Sequence, residues 1–268
     1  MSEDPPKVVL TIAGFDPSSG AGITADLKTI AAHHLHGVAC ITALTVQSTQ
    51  GVRQVQPVDP NLVRETLETL IADVQPAAVK IGMLGSGKVA EVVADFLISA
   101  SVRNVVLDPV LRSSSGAGLL DAAGLTCLRN RLLALVDVTT PNLEEAGLLT
   151  EMEVRDLDSA REAARRLVEG RAKAAVVTGG HLPKGADVLA ERKKDGSIKL
   201  QTFPGEKVET ANTHGTGCAF STALACNLAL GLPLHDAVQT AKAFVTQALK
   251  HSYSIGKGVS PVNPLFGV

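Results

Sequence analysis

Short apolar runs rich in valine and isoleucine alternate along this chain with longer segments in which apolar residues recur at helical spacing. The apolar runs predict buried strands at residues 8–13, 38–46, 77–84, 104–111, 136–140 and 174–178. The intervening segments predict helices at residues 22–34, 60–72, 88–99, 121–135 and 159–170. This alternation indicates an α/β fold with a mainly parallel sheet and helices on both faces.

The pattern changes after Gly185. Residues 188–193 and 197–203 flank an Asp-Gly step, which favours a tight turn and predicts an antiparallel edge hairpin. A glycine-rich turn at 212–217 then leads into an apolar helix at 218–230 and an amphipathic helix at 234–252. We find no repeat or linker, so a single domain over residues 1–268 is predicted.

Composition narrows the class of function. The 268 residues carry a net charge of −2, contain 3% aromatic residues and lack tryptophan, so the chain has neither the charge nor the stacking residues of a nucleic-acid binder. The four cysteines form no Cys-x-x-Cys pair and indicate cytosolic thiols. The N-terminal segment has no apolar signal region. We therefore expect a cytoplasmic protein with small-molecule partners and no membrane partner.

The glycine turn is the first candidate site. Gly215 and Gly217 let backbone N–H groups approach a ligand, and the helix that follows has the positive end of its dipole here. Cys218 lies in the first helical turn, where a thiol has a lowered pKa and can act as a base toward a substrate hydroxyl. The alternative is an ordinary turn before a buried helix, with an inert cysteine such as we expect for Cys226.

A second candidate follows the strand predicted at 136–140. Asn142 and Glu145 lie three residues apart on one helical face, where their oxygen atoms can hold magnesium directly or through water. The alternative is a helix N-terminus capped by asparagine and enriched in acids. Asp108 ends another predicted strand, so its carboxylate is expected at the same carboxyl edge of the sheet.

Other motifs are near misses. Gly20-x-Gly22 lies several residues past its strand and lacks the later acid of a dinucleotide site. Residues 82–89 fit a P-loop until Val89, which cannot supply the hydroxyl that binds magnesium. For His181 and His214, both beside glycines, a hydrogen-bonding role is expected.

Together these segments resemble the hydroxymethylpyrimidine/phosphomethylpyrimidine kinases of thiamine synthesis, within the ribokinase-like superfamily. The matching segments are residues 11–22, 25–28, 42–44, 47, 80–84, 107–110, 140–142, 179–182 and 212–218. The resemblance runs over nearly the whole chain. It implies a three-layer ribokinase-like fold and two successive transfers from ATP, first to the hydroxymethyl group and then to the resulting monophosphate.

The resemblance also implies roles for individual residues. The implied catalytic group is the anion-binding turn: Gly215, Thr216, Gly217 and Cys218. The implied substrate pocket contains Gln47, which would pair with the aminopyrimidine, together with Gly14, Asp26 and Met83. The implied ATP site contains Asp108, Thr140, Asn142, Glu145 and Gly180. Asn142 and Glu145 would also organise Mg²⁺. We further expect a homo-oligomer, in the form of a dimer.

The sequence departs from the family at three positions that commonly hold lysine, namely Ser114, Thr178 and Ala211. Phosphate-facing cations stabilise the charge of a phosphoryl transfer, so their loss bears on the rate and on the second transfer. Arg112 and Lys184 are candidate substitutes. A pyridoxal or pyridoxine kinase on the same scaffold, and a non-catalytic pyrimidine-binding relative, stay open as alternatives, as does a requirement for a monovalent cation.

Overall fold

A computed structural model describes residues 5–113, 116–180, 182 and 185–268 of the chain. The strands are β1 (Val8–Phe15), β2 (His36–Ser48), β3 (Gly51–Pro57), β4 (Ala78–Ile81), β5 (Val105–Leu107), β6 (Val138–Thr139), β7 (Ala174–Val177), β8 (Asp187–Arg192) and β9 (Ile198–Phe203). In the described residues they form one nine-stranded sheet in the order β3-β2-β1-β4-β5-β6-β7-β8-β9. Pairs from β2 to β7 are parallel, and β3, β8 and β9 are antiparallel to their neighbours.

Helices connect most of the parallel strands. They are α1 (Gly22–Ala32), α2 (Pro60–Asp73), α3 (Gly87–Ser99), α4 (Ala122–Cys127), α5 (Leu133–Leu135), α6 (Leu143–Thr150), α7 (Leu157–Gly170), α8 (Thr216–Leu230) and α9 (Leu234–Lys250). A π-helical segment, Leu128–Leu132, joins α4 to α5, so residues 122–135 form one helical stretch, as predicted. Within the described ranges, no helix has the length and apolarity needed to cross a membrane.

Two large hydrophobic clusters cover the two faces of the sheet. Successive residues of β1 point to opposite faces, so Val9 belongs to the cluster that includes residues of α8 and α9, whereas Leu10 belongs to the cluster that includes residues of α2, α3 and α7. Ile30 of α1 belongs to the cluster that contains Val9. The result is the three-layer α/β/α arrangement that the sequence predicts, with the antiparallel hairpin β8–β9 at one edge.

Strand β3 was not predicted. It lies at the other edge of the sheet and pairs with β2 alone. Its side chains at Arg53, Gln54 and Gln56 are exposed, so it lacks the apolar run that marks a buried strand. The conformation of β3 is set by its backbone pairing with β2. The hydrophobic pattern of β3 itself does not reveal this pairing.

Candidate active site

The parallel strands bring the predicted ATP-site residues to one edge of the sheet. Asp108 follows β5, and its N–H donates to the carbonyl of Ile81 at the end of β4, 2.8 Å away. Thr140 follows β6, and its N–H donates to the carbonyl of Leu107 at 2.9 Å. Asn142 then bridges to the segment after β7. The carboxyl ends of neighbouring parallel strands therefore gather these residues, as expected.

The glycine turn packs against the loop that follows β1. Gly215 adopts a positive φ of 80°, and a Cβ there would lie 1.9 Å from the carbonyl oxygen of Gly20. Only glycine fits this position without moving the backbone. Helix α8 begins at the next residue, Thr216. Its first-turn N–H groups have no acceptor within the helix, so they form an N-terminus suited to an anion.

Asp108 lies beside this N-terminus. Its Oδ2 accepts a hydrogen bond from Ser221 Oγ in α8 at 3.1 Å, and a Cβ on Gly217 would lie 3.9 Å from the same oxygen. The structure thus brings together the glycine turn and the predicted ATP-site carboxylate, which the sequence places 109 residues apart.

The lowered pKa predicted for Cys218 is wrong. Burial raises the pKa of this thiol to about 12, and the carboxylates of Asp108 and Asp26 add to the increase. The Lys80 ammonium and a hydrogen bond donated by the N–H of Gly22 act in the opposite direction but do not offset burial. The thiol is therefore protonated at neutral pH.

Asp26 lies beneath the site instead of lining it. Its side chain has no exposed surface, and its Oδ2 is 2.9 Å from the ammonium nitrogen of Lys80, which is also fully buried. Hydroxyls of Thr11 and Thr222 donate to its two oxygens at 2.6 and 2.8 Å. The interpretation of Asp26 as a pocket-lining residue is corrected accordingly: the carboxylate is saturated by protein groups.

Lys80 lies in the matching segment at residues 80–84, and no role was predicted for it from the sequence. Burial alone would lower its pKa, but Asp26, Cys218 and Asp108 together raise it above the ordinary value. Lys80 is therefore a permanent positive charge under the glycine turn. The signal in the sequence was a lysine in the middle of an apolar strand, a position where a charge needs a buried partner.

A small apolar cluster lies at the same edge of the sheet. A Cβ on Gly14 would come within 2.8 Å of the Met83 sulfur, so these two predicted substrate residues are adjacent. Met83, Ala43 and Leu119 form a third hydrophobic cluster, against which Val110 also packs. The predicted substrate residues Gly14 and Met83 therefore lie at a cluster built from β1, β2 and the segments that follow β4 and β5.

Gln47 is half-buried near the end of β2. Its Nε2 lies 3.3 Å from Nε2 of His214, and its Oε1 lies 3.2 Å from the hydroxyl of Thr45. The same His214 nitrogen is 2.9 Å from Oδ2 of Asp16. The hydrogen-bonding role expected for His214 is confirmed, and it links the glycine turn to the predicted substrate glutamine. His181 lies outside the described residues.

Asn142 and Glu145 form a reciprocal helix cap. The side chain of Asn142 accepts from the N–H of Glu145, and the Glu145 carboxylate accepts from the N–H of Asn142, both at 2.9 Å. The N–H of Leu111 reaches the second Glu145 oxygen at 3.4 Å. The capping alternative is therefore present in the structure. Within the described part of the chain, no group of three or more His, Cys, Asp or Glu residues is arranged to hold a metal ion.

The Glu145 carboxyl of this cap has a pKa above that of an ordinary, exposed glutamate at a helix end. Burial, reinforced by repulsion from Asp108, raises the pKa of Glu145 to about 8. Burial also raises the pKa of Asp108, although Lys80 opposes this. A cation placed beside these two buried carboxyl groups would stabilise their ionised forms. This donor set, with hard oxygen ligands, fits magnesium.

The structure describes two of the three positions at which the sequence departs from the family, Thr178 and Ala211. Thr178 donates its N–H to the carbonyl of Pro141 at 2.9 Å, and Ala211 is exposed. Arg112 Nη1 lies 2.9 Å from Oε1 of Glu144, with both side chains more than half exposed. Gly180 is exposed after β7. Ser114 and Lys184 lie outside the described residues.

An open groove of about 530 Å³ continues this edge beyond β7. Its lining includes Gly205 and, from α9, Lys242 and Thr246. Lys242 donates to Oδ2 of Asp187 at 2.6 Å, and Oδ1 of Asp187 accepts from the N–H of Gly179 at 2.8 Å. The groove therefore connects with the carboxyl end of β7. The sequence does not predict this groove, because its lining residues form no recognisable motif.

Comparisons with known proteins agree with this geometry. Residues 16–263 match the family model described as phosphomethylpyrimidine kinase. The hydroxymethylpyrimidine/phosphomethylpyrimidine kinase of Haemophilus influenzae is 42% identical, with 96% of each chain covered. The thiamine biosynthesis bifunctional protein ThiED of Geobacter sulfurreducens is 40% identical over 95% of this chain and 51% of its own length. The ADP complex of Bacillus subtilis pyridoxal kinase superposes with a TM-score of 0.87 at 34% identity, covering 96% of this chain and 97% of that one.

Proposed function

This chain belongs to the phosphomethylpyrimidine kinase family, and we propose that it phosphorylates 4-amino-5-hydroxymethyl-2-methylpyrimidine with ATP, first to the monophosphate and then to the diphosphate. One observation carries the proposal. The first turn of α8 lies beside the carboxyl group of Asp108, which interacts with that of Glu145, and the glycine turn before it carries His214, which contacts Gln47. A hydroxymethyl group and a nucleotide phosphate can meet at such a place.

The pyrimidine ring would lie against the small apolar cluster. Gly14 lets the Met83 side chain lie directly against the backbone of β1, since a Cβ at this position would come within 2.8 Å of the Met83 sulfur. The carboxamide of Gln47 offers both a donor and an acceptor, which match a ring nitrogen and the adjacent exocyclic amine. Stacking and pairing together would orient the hydroxymethyl group toward Cys218 and the glycine turn.

ATP would run along the carboxyl edge in the other direction. Its phosphates would be held by the N–H groups at the start of α8, with Asn142 and Thr140 on the adjacent strand end. Its nucleoside would extend past Gly180 toward the groove beside α9. Asp108 and Glu145 would hold Mg²⁺ directly or through water, together with Asn142. Bound Mg²⁺ would neutralise phosphate charge during transfer.

Cys218 would orient the substrate hydroxyl. Because the pKa of its thiol is about 12, it does not remove the hydroxyl proton in advance. A loose phosphoryl-transfer transition state needs little charge on the attacking oxygen. The new bond then joins that oxygen to the γ-phosphorus, the bond to the ADP oxygen breaks, and the hydroxyl proton leaves late to a phosphoryl oxygen. Lys80, buried below, stabilises negative charge that gathers above it.

A pyridoxal or pyridoxine kinase is the second candidate, favoured by the likeness to the Bacillus subtilis pyridoxal kinase. Both substrates are hydroxymethyl heterocycles, and they differ in the polar groups on the ring. The ratio of kcat/KM for hydroxymethylpyrimidine to that for pyridoxine tests the assignment. We predict a ratio above one, and a ratio far below one would favour the pyridoxine kinase.

The three positions that lack the family's lysines bear on the rate of the second transfer. Ser114, Thr178 and Ala211 leave fewer cations near the phosphates than the family commonly has, so we expect the second transfer to be the slower one. Arg112, which lies two residues before Ser114, is the described candidate for partial compensation. A single domain, a cytoplasmic location and a dimeric state stay predictions.

A further inference from the structure

Asp16 fixes the position of one proton in the site. Its carboxylate accepts hydrogen bonds from Ser18 and from the N–H groups of Gly20 and Ala21, at distances of 2.7 to 3.3 Å. Burial alone would raise the pKa of Asp16, but hydrogen bonds from His214 and Ser18 hold it below the usual value. An ionised carboxylate can only accept. The contact of 2.9 Å between Asp16 Oδ2 and His214 Nε2 therefore requires a hydrogen on that nitrogen.

This proton conflicts with one of the two orientations of the Gln47 amide. With its nitrogen toward His214, an NH₂ group faces an N–H group at 3.3 Å, and neither can accept. In the same orientation, the single hydroxyl hydrogen of Thr45 would serve two acceptors, Oε1 of Gln47 at 3.2 Å and the carbonyl of Phe15 at 2.9 Å. Exchanging the amide oxygen and nitrogen removes both conflicts and moves no other heavy atom.

We propose that Asp16 and His214 are positioning residues that set the orientation of the Gln47 amide, with its oxygen toward His214 and its nitrogen toward Thr45. The Nε2–H group of His214 is then shared between Asp16 and the amide oxygen. The Gln47 nitrogen donates to Thr45, whose hydroxyl donates to the carbonyl of Phe15. In this arrangement no donor faces another donor, and the hydroxyl hydrogen of Thr45 has a single acceptor.

The orientation matters for recognition, and this step rests on the proposed function. The amide has two N–H groups and an oxygen with two lone pairs. His214 and Thr45 use one of each, which leaves one donor and one acceptor for a ligand. An aminopyrimidine edge, with a ring nitrogen and an adjacent amine, needs that combination. A freely rotating amide would present the reverse order for part of the time, so fixing it favours one ring edge.

Backbone hydrogen bonds to the C-terminal segment fix the position of His214. Its N–H donates to the carbonyl of Ser260 and its carbonyl accepts from the N–H of Val262, both at 3.1 Å. A Cβ on Gly20 would lie 2.3 Å from Cδ2 of the His214 ring, so the ring packs directly on the loop that carries Asp16. The C-terminal segment and the first loop therefore fix the ring from two sides.

The protonation of His214 can be measured without any substrate. Nitrogen-15 NMR of the histidine rings, assigned with a His214→Gln variant, reports which ring nitrogen carries the hydrogen. We predict a hydrogen on Nε2 of His214 in the wild-type protein at pH 7.5. A neutral ring with its hydrogen on Nδ1 alone would overturn the proposal, because Nε2 would then accept from Gln47 and repel Asp16. This result does not depend on whether the protein is a pyrimidine kinase.

A double-mutant cycle tests whether His214 acts through Gln47. His214→Phe keeps a ring and removes the donor, and it should raise KM for hydroxymethylpyrimidine about 10-fold while KM for ATP changes little. His214→Gln, which restores an N–H donor, should recover part of the loss. In a Gln47→Leu background, His214→Phe should have no further effect. An equal fold-change in both backgrounds would show a structural role only and overturn the proposal. Absence of wild-type turnover would instead contradict the proposed function.

Discussion

Lys80 and Asp26 form an ion pair in which neither side chain has any exposed surface, with Nζ 2.9 Å from Oδ2. The pair lies in the sheet and first helix, below the thiol of Cys218 and near the carboxylate of Asp108, with which Lys80 interacts electrostatically. The buried Lys80 ammonium thus interacts with the acidic groups of Asp26, Cys218 and Asp108. The pair is a structural element of the fold. Its lysine also places a positive charge below Cys218 and Asp108.

Removing the cation alone should destabilise the protein. Lys80→Met leaves the Asp26 carboxylate buried without its partner, and such a change costs about 3–5 kcal/mol of unfolding free energy. Urea denaturation of the variant and the wild-type protein measures this loss. The double variant Lys80→Met/Asp26→Asn removes both charges and should recover part of the stability. A single variant as stable as the wild type would show that the pair is not needed.

Cys218 should be needed for turnover as a hydrogen-bonding group. Cys218→Ala should lower kcat by about 10²-fold, the scale of a misplaced reacting group, while ATP binding persists. Cys218→Ser keeps an O–H group and should retain more activity than the alanine variant. Cys226→Ala, in the buried middle of the same helix, is the matched control and should leave kcat unchanged. Unchanged turnover in Cys218→Ala would remove this residue from the chemistry.

Magnesium dependence should report on Glu145. Its pKa of about 8 means that the carboxyl is mostly protonated at pH 7, so a bound cation must displace that proton. The magnesium concentration for half-maximal activity should therefore fall as pH rises from 7 to 9. Glu145→Gln should raise the magnesium requirement and flatten this dependence. Glu153→Gln, at an exposed position beyond α6, is the control and should keep the wild-type slope.

Identical magnesium titrations for Glu145→Gln and the wild-type protein, at both ends of that pH range, would limit Glu145 to its role in the helix cap. The cap itself can be checked separately by thermal denaturation, because the loss of a helix cap costs about 1 kcal/mol. A variant that loses stability but keeps its magnesium response would therefore contradict the proposed cation site.

Gln47 should discriminate between heterocycles. Gln47→Leu keeps the bulk and leaves polar groups of the bound ring unpaired, at roughly 1–3 kcal/mol per group. We predict a fall in kcat/KM of about 10- to 10³-fold for hydroxymethylpyrimidine, and a much smaller fall for pyridoxine. Gln54→Leu, on the exposed edge strand, is the control. Equal losses on both substrates would mean that Gln47 supports the pocket without reading the ring.

Much of the fold follows from local pattern. The strand at residues 8–13 and the hairpin around Asp195 and Gly196 were visible because burial on both faces gives continuous apolar runs, and tight turns select particular residues. Strand β3 was not visible, because an exposed edge strand is defined by its partner. The shared carboxyl edge of parallel strands also predicted that Asp108 lies near Asn142 and Glu145, and the repulsion between the carboxyl groups of Asp108 and Glu145 reflects that proximity.

The electrostatics of the site could not be predicted in the same way. Cys218 was expected to be acidic from its helical position, but its pKa depends on how much solvent the fold removes, which no local motif contains. Asp26 was assigned by resemblance, and its partner Lys80 lies 54 residues away. The contact between His214 and Asp16, 198 residues apart, likewise exists only in the folded chain.

The most direct test of this account is the mass of the products formed from ATP, magnesium and 4-amino-5-hydroxymethyl-2-methylpyrimidine. The protein should form the monophosphate, followed more slowly by the diphosphate, and each transfer should release one ADP. A parallel reaction with pyridoxine should give little product. Absence of any pyrimidine phosphate from folded protein that binds ATP, or efficient phosphorylation of pyridoxine alone, would contradict the central claim.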